Sequence, residues 1–190
     1  MKPKCNPQVF VLFLIVVLSA MAVNAQTATP TAYHQKDFIG DNPTADRDLQ
    51  TVSDYLNSLL VNGDVDKARS LVTKNFKTYG PGPNDSADLE KEINNWRENY
   101  KIHLDRKVNF VSQTFRVLSG DLQGDWVSVW GDYNCTIDSK KIRIPFQSTY
   151  HVMDDGKIDR VSSYFDMLSV MTNLGYKLIP PAQNTGKKKK

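Results

Sequence analysis

Cysteine is scarce: two in 190 residues, Cys5 and Cys135. A disulfide framework is excluded, and Cys135, in a strand-like run, reads as a small buried residue. Histidine is scarcer than a metal site needs. His34, His103 and His151 lie far apart, with no HxH or HxxxH pair, so no metal ligand set is expected. An excess of charge is also missing. The net charge of +3 rests on Lys2, Lys4 and the terminal Lys187–Lys190; without these six residues the remainder carries −3. A basic face for nucleic acid is therefore excluded, and the Lys-rich end reads as a solvated tail. No Gly-rich phosphate loop is present, because Gly80-Pro81-Gly82-Pro83 carries prolines where backbone N–H donors are needed. No serine stands in a nucleophile elbow. No apolar run reaches the ~20 residues of a membrane-spanning helix.

What the chain does have begins with an export signal. Lys2 and Lys4 precede the unbroken apolar run Val9–Leu18, and Val23-Asn24-Ala25 fits the small-x-small rule for cleavage. Residues 1–25 are expected to be a signal peptide, residues 26–43 a flexible arm, residues 44–180 the folded domain, and residues 181–190 a Lys-rich tail. A secreted or periplasmic location follows, with no stable membrane anchor after cleavage.

The domain divides by period. Leu49, Val52, Leu56, Leu59 and Leu60 predict a helix over residues 44–62, ended by Gly63. Asp64 is expected to cap a second, shorter one, and Leu89, Ile93, Trp96 and Tyr100 predict a third from near Ser86. Phe76–Tyr79 is read as a short strand, and residues 80–85 as loop. Beyond residue 106 the period changes from 3.6 to 2. Strands are expected at 107–118, 126–137, 141–153 and 157–165, with a tight turn at Asp154-Asp155-Gly156 and a closing helix over 167–174. Helices segregated from strands predict an α+β fold: a cone-shaped curved antiparallel sheet covered by three N-terminal helices, with a short C-terminal helix. The open end of the cone is the natural ligand cavity.

The segment Asp64–Phe76 (DVDKARSLVTKNF) and the ending Asp155-Gly156-Lys157-Ile158…Tyr164-Phe165-Asp166-Met167 resemble the nuclear transport factor 2-like superfamily, in its SnoaL-like and limonene epoxide hydrolase-like branch. The resemblance spans roughly residues 46–178 and implies a cystatin-like cone. The superfold hosts cyclases, isomerases, hydrolases and many non-enzymes, so it implies no single activity. The epoxide hydrolases carry an Arg-x-Asp pair on a central strand and a second Asp at the end of the last one. Asp132 and Asp166 match the two carboxylates, while Trp130 stands in place of the arginine. Their Tyr-x-Asn keeps its tyrosine as Tyr79 and loses its asparagine to Pro81. Asp166 also matches the acid/base aspartate of the SnoaL-like cyclases.

By strand parity, Trp126, Ser128, Trp130, Asp132 and Asn134 share one face, and Val127, Val129, Tyr133 and Cys135 the other. If the Asp132 face points inward, Asp132 and Asp166 form an acid/base pair, and Tyr79, Trp96, Tyr100, Trp130 and Tyr164 line the ligand site. The alternatives are a solvent-facing Asp132 and an Asp166 that caps the last helix. Three functions stay open: an exported protein binding a small apolar or aromatic molecule, a cofactor-free isomerase, cyclase or hydrolase using Asp166 and Asp132, and a dimerisation module pairing through the sheet at Val127, Val129, Tyr133, Ile142 and Ile144. None of the three requires a cofactor.

Overall fold

The computed structural model describes residues 38–179. The expected signal peptide, most of the arm, and the Lys-rich tail lie outside the described residues. Twelve elements follow one another. They are β1 (Ile39–Gly40), α1 (Ala45–Leu56), a wide π-helical turn (Asn57–Asn62), α2 (Val65–Ser70), β2 (Val72–Tyr79), β3 (Ser86–Asp88), α3 (Leu89–Ile102), β4 (Leu104–Val117), β5 (Gly124–Ile137), β6 (Lys140–Val152), β7 (Ile158–Phe165) and α4 (Met167–Leu174). The class is α+β.

Short polar residues set the helix starts. Asp64 accepts a hydrogen bond from Lys67 N at 2.9 Å, Asp88 from Lys91 N at 2.9 Å, and Asp166 from Ser169 N at 2.9 Å. Each carboxylate satisfies an N–H that the first helical turn leaves without a partner. Gly63 and Gly175 end their helices at φ +72° and +102°, where a side chain would be strained. α3 thus starts at Leu89, where its apolar stripe begins, and not near Ser86, because Ser86–Asp88 pair with Lys77–Tyr79 as an edge strand.

The seven strands run in the order β1-β4-β5-β6-β7-β2-β3. The four long strands β4 to β7 form the expected antiparallel meander. β2 adds to β7 in parallel, Lys77 opposite Arg160 and Tyr79 opposite Ser162. β1 draws the end of the expected arm into the sheet, Ile39 opposite Val117. The same stretch is tied down by a buried carboxylate. Asp48 accepts from Asn42 Nδ2 (2.8 Å), Thr44 Oγ1 (2.9 Å) and Arg47 Nε (2.8 Å), and Asn42 Nδ2 also donates to Thr114 Oγ1 on β4 at 2.7 Å. A buried charge so surrounded is compensated, and it fixes the entry of α1 against the sheet.

The core lies between the helices and one face of the sheet. Val52, Leu56, Leu59 and Ile93 from the helices pack with Phe76, Val127, Val129, Tyr150, Ile158 and Val161 from the strands. The inner face is therefore that of Val127, Val129, Tyr133, Cys135 and Ile137, all buried. Trp126, Ser128, Trp130, Asp132 and Asn134 point the other way. Gly131 belongs to the inner face. A Cβ there would stand 2.1 Å from Asn109 O and 2.7 Å from Phe110 Cα, so only glycine lets β4 and β5 approach so closely.

Candidate functional site

Helices and inner sheet face leave a hollow of about 360 Å³. Such a volume is within the range of small-molecule sites. It is more than twice the ~150 Å³ of an apolar cavity known to take up benzene.

Each wall has a local cause. The wide turn after α1 directs both Leu59 and Leu60 into the lining, beside Tyr55 and Leu56. Its outer side is held by α3 and β4: Tyr100 Oη donates to Leu59 O at 2.7 Å, and Arg106 Nη2 donates to Val61 O at 3.0 Å while its guanidinium stacks over the Tyr100 ring at 4.7 Å. Burial pushes the Tyr100 hydroxyl up to about 12 despite that guanidinium. The sheet supplies Tyr133, Ile144, Phe146, Tyr150, Val161 and Phe165, and α4 closes one end with Met167, Val170 and Leu174. Ser148 and Ser163 also line the wall, their hydroxyls 2.8 Å apart in a mutual hydrogen bond.

The polar chemistry comes from α3. Glu92, Trp96, Asn99 and His103 all line the hollow, at spacings of four, three and four that place them on one helical stripe running onto the cap. Trp96 Nε1 donates to Glu92 Oε1 at 3.0 Å. The Trp96 ring meets Tyr133 edge-on at 6.0 Å and His103 edge-on at 6.5 Å, and His103 Nδ1 shares a hydrogen bond of 3.1 Å with Tyr133 Oη. Burial raises the Glu92 carboxyl above its ordinary value, and the indole hydrogen bond only partly opposes this. Burial, with Arg106 nearby, lowers His103. Burial drives the hydroxyls of Tyr55, Tyr133 and Tyr150 upward, so all three stay protonated across the physiological range. Among the described residues, no lysine or arginine lines the hollow, so an anionic ligand would find no counter-charge from them.

The residues expected from sequence divide sharply. Trp96 lines the hollow. Tyr100 sits behind the wall and holds the wide turn. Tyr79 lies outside at the end of β2, with the Arg160 guanidinium 5.9 Å from its ring centre. Trp130 and Tyr164 are on the outer sheet face, 43% and 58% exposed. Asp132 is on that face too, its carboxylate taking a hydrogen bond from Arg143 Nη2 at 2.9 Å. Asp166 is exposed and caps α4. The structure thus brings neither aspartate into the hollow and corrects the inward orientation that joined them. The physical reason is the Val127–Ile137 alternation, which buries more apolar surface than the Trp126–Asn134 alternation and so takes the inner side. The same burial withdraws Val127, Val129, Tyr133 and Ile142 from any role in pairing with a second copy.

Sequence reasoning missed Glu92 and His103 as site residues. A signal for them was present: the 92–96–99–103 stripe runs beside the 89–93–96–100 stripe and shares Trp96 with it. Among the described residues, no three His, Cys, Asp or Glu converge as a metal site would require. Cys135 is buried on the inner face of β5, and burial raises its thiol away from reactive thiolate.

No protein-family model matches the chain, and no curated protein matches it. Solved structures do. One from Silicibacter sp. TM1040, assigned as a polyketide cyclase, aligns with TM-score 0.56 and 13% identity over 69% of this chain and 97% of that one. Another from Shewanella denitrificans OS-217, assigned as a SnoaL-like polyketide cyclase, aligns with TM-score 0.54 and 13% identity over 67% of this chain and 96% of its own. PrhC from Penicillium brasilianum NBRC 6234 aligns with TM-score 0.53 and 15% identity over 69% and 89%. Identities this low speak to the fold alone. Curved sheet, helical cover and inner hollow together give this chain the α+β fold of the SnoaL-like, nuclear transport factor 2-like proteins.

Proposed function

We propose that the protein binds a small apolar or aromatic molecule in the hollow between α1, α3, α4 and the inner sheet face. The observation that carries this is an unfilled volume of about 360 Å³ with a lining of leucine, isoleucine, phenylalanine, tyrosine and tryptophan side chains. Protein interiors are ordinarily packed to the density of organic crystals, so a fold that keeps such a space forgoes contacts it could make itself. A ligand restores them. The test is a thermal-shift series with neutral one- and two-ring compounds, repeated on Val161→Trp, which fills the hollow from β7. Stabilisation of the wild type that Val161→Trp abolishes supports the reading. A wild type indifferent to every compound overturns it.

Acid–base chemistry in the hollow draws no support from Asp132 or Asp166, neither of which lines it: one is paired with Arg143 and the other caps α4. A homodimer draws support from the outer face. Val111, Trp130, Gln147 and Tyr164 are opposite one another across β4 to β7, and Val111, Trp130 and Tyr164 are each about half exposed. Such an apolar band suits a second copy. Sedimentation of the wild type as a dimer and of Trp130→Lys as a monomer is the expected result; a wild-type monomer at high concentration removes this reading. Export, expected from residues 1–25, belongs to the same proposal, and its check is a mature N-terminus at Gln26.

A further inference from the structure

We propose that the ligand is an amine, an apolar or aromatic body carrying one protonated nitrogen, with Glu92 as its counter-charge. The inference rests on the reading of the hollow as a binding site and assigns its ligand class. Among the described residues, Glu92 is the lining's single acidic side chain, and no arginine or lysine accompanies it. Only one of its two oxygens is used: Oε1 accepts from Trp96 Nε1, and no described residue donates to Oε2. Among the described residues, no cation pairs with this carboxylate. Glu92 is partly buried, and the protein's fully buried acids are held differently. Asp48 is surrounded by Asn42, Thr44 and Arg47, and Asp125 accepts from Arg116 Nε and Nη2 at 2.6 and 2.5 Å. A half-satisfied carboxyl facing an aromatic hollow is an electrostatic deficit that a bound cation would repair.

The rest of the lining suits a cation as well. Tyr55, Trp96, Tyr133, Phe146, Tyr150 and Phe165 offer ring faces, which attract an ammonium through their quadrupoles. His103 does not compete for the carboxylate, because its burial and the adjacent Arg106 keep the imidazole neutral. A neutral alcohol of the same shape would gain the apolar contacts and one hydrogen bond, but no charge pairing. A carboxylic acid would place two like charges in one desolvated space, which is strongly unfavourable.

The experiment compares three probes of one shape: naphthalen-1-ylmethylamine, naphthalen-1-ylmethanol and 1-naphthoic acid, by isothermal titration at pH 7. The amine is expected to bind at least ten-fold more tightly than the alcohol, with the acid undetectable. Glu92→Gln, which keeps an acceptor for the indole, is expected to collapse the amine-to-alcohol ratio towards one. Alcohol binding as tight as amine binding overturns the amine assignment and leaves the hollow as a binding site. A ratio unchanged in Glu92→Gln overturns it too, by taking the preference away from Glu92. Failure of both amine and alcohol to bind instead overturns the reading on which the inference rests. If Glu92→Gln does not fold, the wild-type ranking of the three probes decides alone.

Discussion

Glu92→Gln is expected to raise the stability of the unliganded protein at pH 8 and leave it unchanged at pH 4. In the unfolded chain the carboxyl titrates near its ordinary value of 4.5, whereas burial in the hollow raises it in the folded state. A raised folded value means that the folded protein holds the proton more tightly. Glu92's contribution is therefore fully present below pH 4.5 and is lost as pH rises through the folded value. Glutamine has no charge to desolvate at any pH, and its amide oxygen still accepts from Trp96 Nε1. Leaving a buried polar group short of its partners costs about 1–3 kcal/mol. Access of water through the hollow and the indole hydrogen bond both reduce the penalty, so a gain at the low end, on the order of 1 kcal/mol at pH 8, is expected. In a domain of this size that is roughly 2–4 °C in Tm. His103 works in the opposite direction. Its folded value is lowered, so its contribution is complete above pH 6.5 and is lost as pH falls below it. It is common to both proteins and cancels in the difference. Urea melts of wild type and variant at pH 4, 6 and 8 provide the measurement. A variant less stable than wild type at pH 8, or equally stabilised at pH 4 and pH 8, would refute the reasoning.

Two further perturbations test the surroundings. Arg116→Met leaves Asp125, 3% exposed, without its bidentate partner. Because the Arg116 side chain is itself 37% exposed, the expected loss is smaller than that of a fully buried pair, read as a lower urea midpoint; adding Asp125→Leu is expected to recover most of it. Asp166→Ala removes the cap of α4 and is expected to cost about 1 kcal/mol. Its affinity for naphthalen-1-ylmethylamine is expected to match the wild type, and a large loss would return Asp166 to the binding site.

The meander was legible because its strands are long, alternate cleanly and are joined by short turns, so each is specified by its own residues. The closing helix was legible for a similar reason, with Asp166 before it and Gly175 after it. Which face turns inward was a different problem. Trp126 and Trp130 made the outer face look as apolar as the inner one, and the decision depends on total buried area over the whole strand rather than on any single residue. The parallel pairing of β2 with β7 joins residues some eighty positions apart and leaves no local trace. Among site residues, Trp96 emerged because tryptophan on a helical stripe signals burial. Glu92 did not, because a glutamate near a helix start is ordinarily solvated and its surroundings depend on walls contributed by α1, the wide turn, β5, β6, β7 and α4. The aspartates drew notice through the resemblance, and it is the register of the sheet that keeps them outside.

The wide turn at Asn57–Asn62 makes the chamber's length a matter of one residue. In an ordinary α-helix each residue advances the direction of a side chain by about 100°, and the extra residue of a π-type turn is what allows Leu59 and Leu60 to serve one wall together. A single-codon deletion there would rewind the segment, swing one leucine off the wall and unseat the carbonyls of Leu59 and Val61 from Tyr100 and Arg106. The volume of the hollow would thus change by insertion or loss of one amino acid, while every strand stayed where it is.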